Sequence, residues 1–299
     1  MSEISPHPSR LEQGVLVERP SWVRTGIPGL LLALILVALY WPILRDLARQ
    51  WLDDANYQHG FLVPLASGLL VWRRRRALQR VTPRGTWLGL PVLLAGIGAL
   101  LVGDIGAENF LMRSSLIVIL AGLILLHLGR EMLREVLFPL GYLFFMIPLP
   151  AILLYALTFP LQNLAARQAA WALDFVGVPV LLDGNVIHLS QISLGVTEAC
   201  SGIRSLISLV AGAVMWAYFM LPGGWAMALF VAAAVPITVL ANAARVVATG
   251  LIGQWFGVEY ASGFFHEFAG WVVYLFAFAC LVGVHGLIGL VRRQRQGRS

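Results

Sequence analysis

Lysine is absent from this 299-residue chain: all 21 basic residues are arginine, which excludes chemistry that needs a lysine amine, Schiff bases and Ser-Lys dyads included. Charge of either sign is scarce as well. Charged residues make up 12% of the chain against 59% hydrophobic, and the mean hydropathy is +0.80, a composition that no ordinary soluble domain shows. The sequence therefore reads as an all-α polytopic membrane protein. Cysteine is almost missing too. Of the two present, Cys280 sits among Phe276, Ala277, Phe278 and Ala279 and suits an apolar core, which leaves Cys200 as the free thiol.

The first 26 residues are polar, with prolines at 6, 8 and 20 and no small-residue cleavage site, and are expected to form a disordered cytoplasmic tail. Apolar runs follow at 27–43, 60–72, 87–103, 110–128, 136–159, 203–221, 225–245 or beyond, and 267–291. The second run is short and contains Pro64, and the fifth is interrupted by Pro139, Pro148 and Pro150, so kinks or an early exit from the bilayer are expected there. Residues 161–175 follow an amphipathic pattern, expected as a short helix along the membrane surface. Residues 178–196 read as short strands turning at Asp183-Gly184. The expectation is thus a single eight-span domain over residues 27–291, closed by a basic tail at 292–299.

Arginine sets the orientation. With both termini in the cytoplasm the inner segments hold fifteen arginines, including Arg73, Arg74, Arg75, Arg76, Arg80 and Arg84 behind the second run. The outer segments hold four: Arg45, Arg49, Arg113 and Arg167. Losing the second crossing would place the six clustered arginines outside, so that short run is expected to span.

This orientation brings three reactive groups to one depth on the outer side. Cys200 precedes the sixth span, His266 precedes the eighth, and Arg245 lies about twenty residues into the seventh, a ~30 Å rise. Thr197 is positioned as a helix N-cap, which would put Cys200 in a first helical turn, where the dipole favours a thiolate. Nucleophile, oxyanion donor and general acid/base are the minimum set for cysteine acyl transfer. Each also has a plainer reading: Cys200 as a buried small hydrophobe, Arg245 as a helix-end arginine reaching for the interface, and His266 as one more polar ring in an aromatic belt with Phe264, Phe265 and Phe268. His59 competes for the base and Ser201 for the nucleophile.

The blocks Glu198-Ala199-Cys200-Ser201-Gly202-Ile203-Arg204, Asn242-Ala243-Ala244-Arg245-Val246 and Phe265-His266-Glu267-Phe268-Ala269-Gly270 resemble the signature blocks of the exosortases. Tyr57-Gln58-His59-Gly60-Phe61-Leu62-Val63-Pro64 is similar to that family's N-terminal block. The resemblance implies an eight-span bacterial inner-membrane cysteine protease or transpeptidase, with Cys200, Arg245 and His266 catalytic on the periplasmic side. The implied substrates are secreted proteins with a C-terminal Pro-Glu-Pro-like signal, a transmembrane helix and an arginine-rich end, often in company with exopolysaccharide synthesis. Arg204 is then expected to pair with the substrate glutamate or with Glu198, while Asn242, Tyr57 and His59 support the site. Membrane lipid is the remaining expected partner; nucleic acid is not one.

No cofactor or metal is expected, since His266-Glu267 lacks the second histidine of a zinc-binding helix motif. The competing class is a polytopic transporter with an outward-facing polar site, suited to the proline-broken fifth run. The loop before Cys200 is expected to cover the site and guide an extended substrate.

Overall fold

The computed structural model describes the backbone of residues 21–196, 202–221, 223–257, 259 and 264–296, and side chains from Gly29 onward except those of 264–267 and 295–296. Each of the eight apolar runs lies mainly in helix. In chain order these helices are α1 (Ser21–Asp53), α2 (Leu62–Arg73) with a short continuation α3 (Arg75–Leu78), α4 (Gly89–Ile105) and α5 (Asn109–His127). They continue with α6 (Arg130–Tyr142), α7 (Ala151–Phe175), α8 (Ile203–Met220), α9 (Gly224–Phe256) and α10 (Phe264–Gln296). Among the described residues five helices are long and apolar enough to cross a membrane, those of α1, α5, α8, α9 and α10. The chain divides after Arg45 into two compact units, and the features below belong to the second, which begins at Asp46.

The fifth run is the one the prolines break. α6 ends in a 3₁₀ turn over Leu143–Met146, and α7 leaves at 76° to the incoming direction. Ile147 is extended, as a residue before proline must be, and Pro148 and Pro150 have no N–H to give a helix. Inside α6, Pro139 deprives the Glu135 carbonyl of its helical donor, and Arg74 Nη1 takes the vacant place at 3.2 Å while bonding the Glu135 carboxylate at 2.9 Å. Ser67 on α2 donates to the Pro139 carbonyl at 2.8 Å. One arginine of the basic cluster is therefore tied into the fold.

α4 and α5 pack as an antiparallel pair with backbones in contact. Gly89, Gly96 and Gly103 recur every seven residues on one face of α4 and meet Leu126, Ile119 and Met112, spaced the same way on α5. A Cβ at Gly96 would lie 2.6 Å from Ile119 Cγ1 and 2.9 Å from its amide nitrogen. Between apolar helices in lipid, small residues of this kind let dispersion contacts hold the pair.

The amphipathic pattern at 161–175 does not form a helix of its own: it is the second half of the continuous α7. Its face of Ala165, Ala166, Ala169 and Leu173 is almost fully buried and packs with Val246 of α9. The strands are present, with one more than a hairpin needs. β1 (Leu181–Asp183), β2 (Val186–His188) and β3 (Ser193–Gly195) form an antiparallel sheet in that order. Gly184 takes φ +59° in the first loop, a conformation that glycine adopts without steric cost. Asn185 closes β3 onto this turn, accepting from Val196 N–H at 2.8 Å and donating Nδ2 to its carbonyl at 3.0 Å. Ile187 is fully buried in the same cluster as the α7 alanines, so the sheet lies on α7 and α9.

Candidate active site

α9 carries two of the expected site residues, and Asn242, Arg245, Val246 and Gly250 fall on one of its faces. Each meets a different element. Gly250 admits Leu173 of α7 and Leu194 of β3, whose methyl groups stand 3.3 Å from where its Cβ would be. Val246 belongs to the buried cluster under the sheet. Asn242, itself buried, lies against Gly202, whose absent Cβ would sit 3.0 Å from the Asn242 amide carbon. The half-buried Arg245 lays its guanidinium on Gly270 of α10, with Cζ and one terminal nitrogen each 3.6 Å from the position of a Cβ.

These contacts set Arg245 against the helix that carries His266 and Asn242 against the glycine that caps α8. His266 lies in the first turn of α10, and Gly270 follows it by four residues, on the same face one turn away. Its side chain, together with Glu198, Cys200 and Ser201, lies outside the described residues. Arg245 is not at a helix end, since α9 continues to Phe256, and its guanidinium is directed to α10.

The Thr197 cap expected before Cys200 lies outside the described residues, and the backbone is described again from Gly202. α8 begins at Ile203 with Gly202 as N-cap in the left-handed region at φ +77°, and Leu206 N–H makes the first helical bond to the Gly202 carbonyl. Cys200 stands two residues before this cap in the sequence. Arg204 is exposed on the first turn of α8, with no carboxylate in ion-pair range among the described residues.

Tyr57 and His59 occupy a 3₁₀ turn, Ala55–Phe61, capped by the Asp54 carboxylate, and both reach the break between α6 and α7. Tyr57 Oη accepts from Leu149 N–H at 3.1 Å. Burial raises its phenol pKa, the Leu149 bond works in the opposite direction, and the nearby Asp54 charge adds to the rise. His59 Nε2 stands 3.2 Å from the Phe145 carbonyl and Nδ1 stands 3.4 Å from Ser208 Oγ. A carbonyl only accepts, so Nε2 carries the proton and Nδ1 receives the Ser208 hydroxyl. Burial holds the imidazole pKa below its usual value, with bonds to the Phe145 and Asn56 backbone opposing. Both ring nitrogens are thus engaged in joining the turn to the break and to α8.

Sequence reasoning missed Trp51, the third member of this clamp, whose indole Nε1 donates to the Met146 carbonyl at 2.8 Å. Its signal was Gly60, where any Cβ would collide with the Trp51 indole. Non-helical backbone inside a membrane protein is tolerated where its polar groups find partners, and the clamp supplies three.

The family model described as transmembrane exosortase (Exosortase_EpsH) matches residues 51–283, more than three-quarters of the chain and the whole stretch from the Trp51 clamp through the α9–α10 contact. The chain belongs to the exosortase family. No curated protein and no solved structure matches it. Membership gives this exosortase a membrane transpeptidase- or protease-type role and makes it a multi-pass membrane protein.

Proposed function

We propose that the chain is a cysteine protease or transpeptidase of the bacterial inner membrane. In this reading it acts on the periplasmic side on secreted proteins that carry a C-terminal Pro-Glu-Pro-type motif, a transmembrane helix and an arginine-rich end, in the service of exopolysaccharide export. The supporting observation is the seating of Arg245 on Gly270, one turn from His266, while Asn242 on the same helix packs on Gly202, two residues from Cys200. These two contacts of α9 support the reading, one with the helix that carries His266 and one with the cap that follows Cys200 in the sequence.

In the first step the Cys200 sulfur attacks the substrate carbonyl, the C–N bond breaks, and the acyl group is held as a thioester. His266 accepts the thiol proton and gives it to the leaving amine. The Arg245 guanidinium stabilises the oxyanion, a contribution of ~2.7–4 kcal/mol for one well-placed donor. Water, a lipid or a glycan amine then takes the acyl group and frees the thiol. His59 supports the fold in this scheme, since its two nitrogens hold the clamp.

The test is mass spectrometry of secreted proteins from cells carrying each variant. Cys200→Ala should leave substrates at full length while Ser201→Ala still shortens them, and a thiol-alkylating reagent should stop turnover. Arg245→Lys keeps the charge but loses the planar fork, and is expected to lower turnover by roughly 10²–10³. Normal shortening by Cys200→Ala together with its loss in Ser201→Ala would overturn the thioester mechanism.

A further inference from the structure

β3 is an outer strand of its sheet, and among the described residues nothing pairs with its far side. The register decides which backbone groups face that way. Val196 N–H donates to the Asn185 carbonyl and Leu189 N–H to the Ile192 carbonyl, which makes these two pairs hydrogen-bonded ones. In an antiparallel ladder such pairs alternate, so Leu194 and Ile187 form the one between them. Residues 192, 194 and 196 therefore turn their N–H and C=O groups toward β2. Ser193 and Gly195 turn theirs outward.

This edge lacks the devices that usually guard one. Sheets protect open strands with charges, proline or bulges, and residues 192–196, Ile-Ser-Leu-Gly-Val, contain none of these. The opposite edge, β1, ends in Asp183 and starts two residues after Pro179. β3 is also held firmly. Leu194 is seated on Gly250, Gln191 N–H donates to the side chain of Gln254 at 3.2 Å, and His188 Nδ1 bonds Ser193 Oγ at 2.8 Å across the exposed face. An edge meant only to end a sheet has no need of such anchoring beside Val246, the neighbour of Arg245. Gly195 is five residues before Cys200, within ~17 Å of extended chain.

We propose that the outward amides of Ser193 and Gly195 bind an extended segment of the polypeptide substrate, which adds to β3 as a fourth strand and is led along it to Cys200. The occupant is a peptide because the edge presents alternating backbone donors and acceptors, which only another extended backbone matches along its length. Recognition through the main chain also leaves substrate side chains free to vary. The inference rests on the reading of Cys200 as nucleophile given above.

The experiment measures binding, so that it does not depend on turnover. The probe is a synthetic peptide spanning the cleavage point mapped in a processed protein, and its affinity is measured for the full-length Cys200→Ala enzyme in detergent. Methylating the peptide's amide nitrogens one at a time should weaken binding at every second position, by roughly ten-fold, and leave the positions between them unaffected. Ser193→Pro in the same background removes an outward N–H and no ladder bond, and should weaken binding of the unmethylated peptide to a similar degree, whereas Ser193→Ala, which loses only the bond to His188, should not. The same substitution in the active enzyme should leave the rate of Cys200 alkylation unchanged, which checks that the site is intact. Methylation effects without a two-residue period would overturn the proposal, even where Ser193→Pro fails to fold. Shortening of substrates by Cys200→Ala would instead overturn the thiol mechanism, a separate result.

Discussion

Trp51, Tyr57 and His59 show at the residue scale how a broken membrane helix is made affordable. Met146 O, Phe145 O and Leu149 N–H belong to the break between α6 and α7, and each meets a side chain from the end of α1 or the 3₁₀ turn after it. Tyr57→Phe keeps the buried ring and removes only the acceptor, stranding the Leu149 amide. The expected loss is about 1–3 kcal/mol, seen as a lower midpoint of thermal unfolding in detergent. A midpoint equal to that of the unsubstituted protein would show that water serves the amide equally well.

His59 gives the clamp a pH dependence whose sign follows from its lowered pKa. In the unfolded chain the imidazole protonates near ~6.5, while the folded protein resists the proton to lower pH. The contribution is complete above the unfolded value and is lost as pH falls through it toward the folded one, because the unfolded state alone takes up the proton in that window. The thermal midpoint should therefore fall on acidification below neutrality, and His59→Gln should flatten that fall. His266→Gln, by contrast, is expected to stop substrate shortening with little change in the midpoint.

Among the elements, the α4–α5 pair is the most exacting. Gly96 faces Ile119 at a spacing that no side chain fits, whereas Gly98, two residues on, has nothing within 4 Å of where its Cβ would be. Gly96→Val should force the helices apart at more than the usual ~1–3 kcal/mol cost of overpacking, since backbone atoms stand in the way. Gly98→Val projects outward and should be tolerated. The comparison is readable as the yield of folded protein extracted in mild detergent, and equal yields would refute the close approach of the two backbones.

For the whole molecule, fifteen arginines against four across alternate segments fix the expected orientation. Arg74 belongs to the majority and is bound into α6 through Glu135, so at least one arginine of the expected inner set also serves packing. Reporter fusions after residue 299 and within the loop at 178–196 should give opposite sidedness, the former cytoplasmic. Labelling of both sites from outside would sink the topology and the periplasmic active site with it.

The membrane class, the position of every apolar run and the residues worth testing were determined by the sequence, because hydropathy, proline placement and arginine asymmetry are local or summed properties of the chain. The strands at 178–196 were legible for the same reason, from their composition and Asp183-Gly184. Only the tertiary structure decided that Gly202 caps α8, through a left-handed backbone pressed on Asn242, forty residues away in sequence. It also carried 161–175 into α7, since an alanine face that looked fit for a membrane surface found a better partner in α9. The meeting of Arg245 with Gly270 and the clamp of Trp51, Tyr57 and His59 belong to the same class. Each is a contact between segments distant in the chain, made by groups whose identities the sequence states and whose distances only packing sets.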